Sequence, residues 1–235
     1  IKVEDSIDAV NRYFYELGWS DGLPVIPPTE EKVLEMLRYS SRPPQHVVAR
    51  IPPRWALATV EKIAINAVMA GCLPEYLPVV IAAVEAMAEE SFNLYSIQAT
   101  THPCGPLLIV NGPIAQKLDI NSGYGAFGPG WRANATIGRA IRLILMNIGG
   151  GIPGALDKST QAQPSKYTYC IAENEAENPW QPLHVERGFD AAVSTVTVVA
   201  AEGPHNINDH DSTTAKGILK TVVGSMTVVG SNNFT

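Results

Sequence analysis

Cysteine is scarce in this chain: three residues in 235, at positions 72, 104 and 170. An odd, sparse count excludes a disulfide framework and points to a reducing, cytoplasmic setting. Charge is thin as well, at 17% of residues, below the usual quarter. That shortage implies much buried surface and an oligomeric subunit. Basic residues are outnumbered, 17 against 23, for a formal charge of -6. A nucleic-acid binder would carry a basic face, so that class is disfavoured. No apolar run reaches roughly 18 residues, which argues against a membrane span. The segment Ile1-Lys2-Val3-Glu4-Asp5 lacks the basic-then-apolar order of a signal peptide. It also starts without methionine, which leaves a trimmed chain open.

What is present is apolar: hydrophobic residues make up 46%. A chain of this size buries about 70% of its unfolded surface, enough for a core without metals or disulfides. The pattern predicts a helix over 5–18 opened by Asp5 or Ser6, and another over 29–39 capped by Thr29. A strand-like stretch at 45–50 lies between proline pairs. Ala-rich and apolar helices follow over 55–71 and 75–90. Strands are expected at 96–101, 107–110, 167–172 and 192–201. A short helix is expected near 113–119, a long one over 132–148 striped by Ile137, Ile141, Ile144 and Ile148, and a last one from Ser212 to 226. The expected class is α/β or α+β: a mainly helical region, 1–92, packed on a mixed sheet with flanking helices, 93–235. The two regions are readable as one domain or as two.

Four polar, turn-rich segments interrupt this apolar chain. In 121–132 the glycines 123, 125, 128 and 130 precede a helix. Backbone N–H groups around Gly128 and Gly130, the helix N-terminus and the forked Arg132 would suit a phosphate or carboxylate. The spacing matches neither the dinucleotide fingerprint nor the P-loop, and a tight packing loop is the plain alternative. In Thr100-Thr101-His102-Pro103-Cys104-Gly105-Pro106, His102 would lower the Cys104 thiol and make a nucleophile. A buried, inert cysteine is the alternative. In 166–175, strand alternation would put Lys166, Thr168 and Cys170 on one face, with Glu173 at the strand end as acid, base or ligand. In 203–211, His205, Asn206, Asp209 and His210 form a dense set fit for a divalent transition metal by composition. Turn and cap chemistry explains Asp and Asn there equally well. His184 and Glu186 alternate as a strand would.

Several stretches together resemble a bacterial family of unassigned activity, associated with small UGSC-motif (seleno)proteins. They are Asp21-Gly22-Leu23-Pro24-Val25-Ile26-Pro27-Pro28-Thr29-Glu30, Phe127-Gly128-Pro129-Gly130 with the run 132–139, the run 166–175, and Leu183-His184-Val185-Glu186-Arg187-Gly188. The ending Val229-Gly230-Ser231-Asn232-Asn233 matches more weakly. The resemblance spans most of the chain and implies thiol or selenol chemistry, though no Gly-Ser-Cys motif is present. It also implies relatives that continue past the Ser-Asn-Asn segment, and so a subunit or fragment of a larger assembly with a partner chain.

Three functions compete. The first is an enzyme subunit acting on a small anionic organic molecule. Cys104 or Cys170 would be nucleophile or redox thiol, with His102, Glu173 or His205 carrying protons. Gly128, Gly130, Arg132, Asn206 and Lys166 would hold the anion. The second is a metal-dependent hydrolase or lyase using His205, Asp209 and His210. The third is a non-catalytic structural subunit of a homo- or hetero-oligomer, docking through its apolar helices.

Overall fold

The computed structural model describes residues 6–228. Asp5 and the 229–233 segment named above lie outside the described residues. The chain divides into two compact units, Ile1–Glu202 and Gly203–Thr235. The first is a mixed α/β structure. It begins with α1 (Ile7–Glu16), capped by Ser6, and α2 (Glu30–Leu37), capped by Thr29 with Glu30 and Glu31 in the first turn. A small antiparallel pair, β1 (Val47–Ile51) and β2 (Ala56–Thr59), follows. Then come α3 (Val60–Ala70) and α4 (Leu77–Ala88), and the short α5 (Leu94–Ala99).

The main sheet is built from β3 (Gly105–Asn111), β4 (Cys170–Ala172) and β5 (Thr195–Ala201), in the order β4-β3-β5. β3 runs parallel to β4, with Leu108 opposite Cys170 and Val110 opposite Ala172. It runs antiparallel to β5. Between β3 and β4 lie α6 (Pro113–Lys117), the glycine loop and α7 (Arg132–Asn147). α8 (Leu183–Glu186) precedes β5.

One core crosses the 92/93 boundary. Ile63 and Ala67 of α3, Leu77 and Met87 of α4, Leu108 and Val110 of β3, and Ile137 and Ile144 of α7 are buried in the same cluster. α3 packs on α7, and α4 packs on β1 and β5. The stripe of α7 is buried as its 3.6-residue period requires. Gly138 lets this helix approach the 168–169 backbone: a Cβ there would stand inside contact distance of Tyr169 N and Thr168 Oγ1. Thr168 Oγ1 in turn donates to the Asn134 and Ala135 carbonyls of α7, at 3.0 and 2.8 Å. The segment entering β4 is thereby fixed to α7.

Some expected elements differ. Residues 56–59 pair with β1 as a strand, and the helix begins only at Val60. Residues 94–99 are helical, because the buried positions are Leu94 and Gln98, four apart, which is a helix spacing. Only 170–172 of the expected strand 167–172 pairs with β3; Pro164–Lys166 is a 3₁₀ turn. His184 and Glu186 lie on α8, not on a strand.

In the second unit, α9 (Ala215–Met226) is capped by Thr214 rather than Ser212, with Thr214 Oγ1 accepting from Gly217 N at 3.2 Å. Among the described residues, no helix is long and apolar enough to cross a membrane.

Candidate functional site

Arg142 is a charged residue inside the apolar face of α7, between the buried Ile141 and Leu143. A buried guanidinium needs partners. Its Nε donates to the Lys166 carbonyl at 2.7 Å, and its Nη1 lies 3.9 Å from Asp157 Oδ2. Asp157 is placed by a tight turn after α7, in which the N–H groups of Ala155, Leu156 and Asp157 all point to the Ile152 carbonyl. Its Oδ1 accepts from Ser159 N at 3.0 Å and from Ser159 Oγ at 2.7 Å. The 3₁₀ turn at Pro164–Lys166 presents Lys166 to the same group. Its Nζ lies 2.6 Å from Asp157 Oδ2 and donates to Ser159 Oγ at 2.6 Å.

These side chains are nearly dry: 10% exposed for Arg142, 6% for Asp157 and 9% for Lys166. Two cations therefore share one carboxylate. Asp21, which also lines the site, is matched by its own fork from Arg139, at 2.8 and 2.9 Å. Burial tends to raise the Asp157 carboxyl, but the bonds from Lys166 and Ser159 outweigh it and hold the group below its usual value. Burial lowers Lys166 despite Asp157, and the Arg142 charge adds to the lowering. Burial lowers Arg142 too, against the pull of Asp157 and Asp21. The cluster forms one wall of a cavity of about 240 Å³, completed by Met146, Gln163 and Tyr167.

The 101–104 segment lies against this cluster. The Thr101, His102 and Pro103 carbonyls accept from Thr160 N (3.0 Å), Ser159 Oγ (2.8 Å) and Gln163 Nε2 (3.2 Å). Ser159, which accepts from Lys166, thus ties this turn to the cluster. The thiols are not lowered as a nucleophile requires. Cys104 is half-buried, and burial raises it above its ordinary value, with Glu202 adding to the rise and Lys166 only partly opposing it. His102 turns its Nδ1 toward Glu202 Oε1, at 3.7 Å. Cys170 is buried in β4 and burial pushes it far up; Cys72 is pushed up to about 12. None is poised as a thiolate.

Glu173 lies elsewhere. Lys166 precedes β4 and Glu173 follows it, so they stand at opposite ends of the strand. Glu173 Oε2 accepts from Asn111 Nδ2 (2.5 Å) and Leu183 N (2.8 Å), and its Oε1 accepts from Asn178 Nδ2 (2.6 Å). Glu175 Oε1 accepts from Asn111 Nδ2 and Gly112 N, with the buried His184 Nδ1 at 3.9 Å.

The glycine loop does not present its cation. Arg132 Nε and Nη2 both donate to the Gly71 carbonyl, at 3.1 Å each, closing the C-terminus of α3. The groove beside Gly128, formed with Phe127, Asn134 and Tyr169, has no Lys, Arg or His in its lining among the described residues. Gly130 is exposed, with φ of 126°. Arg132 is therefore a tether between α7 and α3, not an anion clamp.

In the second unit, Asp209 closes the turn ahead of α9. Its Oδ1 accepts from Ser212 N (2.9 Å) and Asp211 N (3.1 Å), and its Oδ2 from Thr221 Oγ1 (2.7 Å). The bonds from Ser212 and Thr221 hold it at about 2. His210 Nε2 faces Asn208 Nδ2 at 2.9 Å, and His205 and Asn206 are exposed. No group of three or more His, Cys, Asp or Glu among the described residues is arranged to hold a metal ion. The set His205, Asp209 and His210 is thus not gathered into a ligand shell.

The sequence reading missed Arg142, Asp157 and Ser159. Arg142 had a readable signal, a lone cation amid an apolar helical face, which must be paired once buried. Asp157 and Ser159 had none, lying in an unremarkable polar turn. Compared with family models, curated proteins and solved structures, the chain has no significant match.

Proposed function

We propose that this chain is a subunit of an enzyme acting on a small organic anion, held in the cavity walled by Arg142, Asp157, Ser159 and Lys166. The observation that carries the reading is the charge imbalance: two nearly buried cations face a single carboxylate beside open space. Burying a charge without a full partner costs several kcal/mol. A ligand carboxylate relieves that cost, and the planar fork of Arg142 suits it. A cavity of about 240 Å³ is below the usual drug-sized range, so the ligand is small. Lys166 and Ser159, hydrogen-bonded to each other, are the groups placed to move protons. In this reading Cys104 and Cys170 are packing residues.

Titration calorimetry tests it. Acetate, propionate and succinate should bind, and their isosteric amides should not. Arg142→Lys keeps the charge but loses the fork, and should weaken binding about tenfold. Amides that bind as well as the acids would sink the reading.

A further inference from the structure

Lys166 has a property that anion binding alone does not use. It is a nearly dry amine beside a second cation, the arrangement that makes a lysine nucleophilic. Its Nζ is held between Asp157 Oδ2 and Ser159 Oγ, both at 2.6 Å, and the side chain is 9% exposed on the cavity wall. From this geometry we infer that Lys166 forms a Schiff base with the carbonyl of a small oxo acid whose carboxylate is held by Arg142. The inference rests on the cavity being the anion site.

The step balances within the site. The Nζ–C bond forms and the carbonyl C–O bond breaks. Of the three protons on the ammonium, one stays on the iminium nitrogen and two leave with the carbonyl oxygen as water. Ser159 Oγ, in contact with Nζ and with Asp157 Oδ1, accepts the first proton from Nζ while giving its own to Asp157, which frees the Nζ lone pair to attack; the proton then returns by the same path to the carbonyl oxygen, and a second follows it as water departs. The charges balance as well. Arg142 is matched by the substrate carboxylate, and the iminium is matched by Asp157. The iminium on Lys166, matched by Asp157, is the electron sink of the reaction. An iminium draws electrons from a neighbouring C–C or C–H bond, so the reaction class is lyase or dehydratase chemistry on a small oxo acid. Asp157 is a positioning residue here, and Lys166 the catalytic one.

Borohydride trapping with pyruvate reads this directly. The full chain is incubated with pyruvate, reduced, digested and mapped by mass spectrometry. One reduced pyruvyl adduct on Lys166 is expected. It should be absent in Lys166→Arg, which keeps the charge, and should form about 100-fold more slowly in Ser159→Ala. Wild-type protein that carries no adduct on Lys166, or carries adducts only on exposed lysines such as Lys32 and Lys158, overturns the inference whatever the variants do. Propionate separates the two readings. If propionate and pyruvate bind but nothing is trapped, the Schiff base falls and the anion site stands. If acetone is trapped on Lys166 as fast as pyruvate and propionate does not compete, the anion site falls instead.

Discussion

The two ends of the parallel pair β3 and β4 carry comparable polar clusters with opposite chemistry. At the end where the strands start lie Arg142, Asp157, Ser159 and Lys166, three charged side chains that are each 10% exposed or less. At the end where they finish lie Asn111, Glu173, Glu175 and His184. There the carboxylates are met by neutral donors: the Asn111 and Asn178 amides and the N–H groups of Gly112 and Leu183. Glu175 keeps 29% of its side chain in contact with solvent. Ligands of open α/β sheets usually gather at the carboxyl ends of strands. Here the carboxyl ends carry carboxylates met by neutral donors, beside cavities lined by Glu173 and Glu175, and the buried cations sit at the other end. The two ends therefore differ in the sign of the charge they hold and in how it is satisfied: by neutral donors at one, by a shared carboxylate at the other.

The largest expected effect breaks the positive end outright. Asp157→Ala leaves two buried cations without their carboxylate and should cost about 3–5 kcal/mol of stability, measured by urea unfolding. Glu175→Gln at the other end keeps acceptors for Gly112 and Asn111 and should cost less than about 1 kcal/mol. Equal losses would erase the distinction between the two ends.

The next effect acts through packing. Gly138→Ala forces α7 away from the 168–169 backbone and should destabilise by about 1–3 kcal/mol. Because Lys166 precedes that segment directly, carboxylate affinity should fall with it. Retained affinity in this variant would mean that the placement of Lys166 does not depend on α7.

A third variant pair sharpens the comparison at the level of ligand binding. Lys166→Met should weaken propionate binding at least tenfold, while Glu173→Gln should leave it within twofold. Cys104→Ser should also stay within twofold, since the thiol is raised and half-buried. An effect of Cys104→Ser as large as that of Lys166→Met would restore the thiol reading.

Periodic features of this fold were legible in the sequence. The stripe Ile137, Ile141, Ile144 of α7 and the caps Ser6 and Thr29 follow from local spacing and local hydrogen bonds. Features set by distant partners were not. The expected strand 96–101 falls largely on α5, whose few apolar residues carry no clear period until the core buries Leu94 and Gln98. Local sequence offers Arg132 to an anion, whereas its acceptor in the fold, the Gly71 carbonyl, lies 61 positions away. The sequence puts Lys166 on a strand face, whereas it lies in the 3₁₀ turn ahead of β4. Its partners Asp157 and Ser159 are close in sequence, yet they become a site only when α7 delivers Arg142. Burial decided the cysteines, and burial is a tertiary property.

The smallest expected effect is on pH dependence, and it separates the partners within the positive end. Asp157 is held below its usual value, so its stabilisation is complete above an unfolded value of about 4 and is lost as pH falls through the folded one. Lys166 is lowered by burial, faced by Asp157, Arg142 and Cys104. Its ammonium is therefore penalised in the fold, and stability rises with pH from the folded value up to the unfolded value near 10.4 (about that of free lysine). Anion binding wants the ammonium, so the affinity for propionate should decline over that same window while stability climbs. Calorimetry and urea unfolding across the alkaline range read both trends. If affinity and stability rise or fall together there, Lys166 is not the group that balances the bound anion.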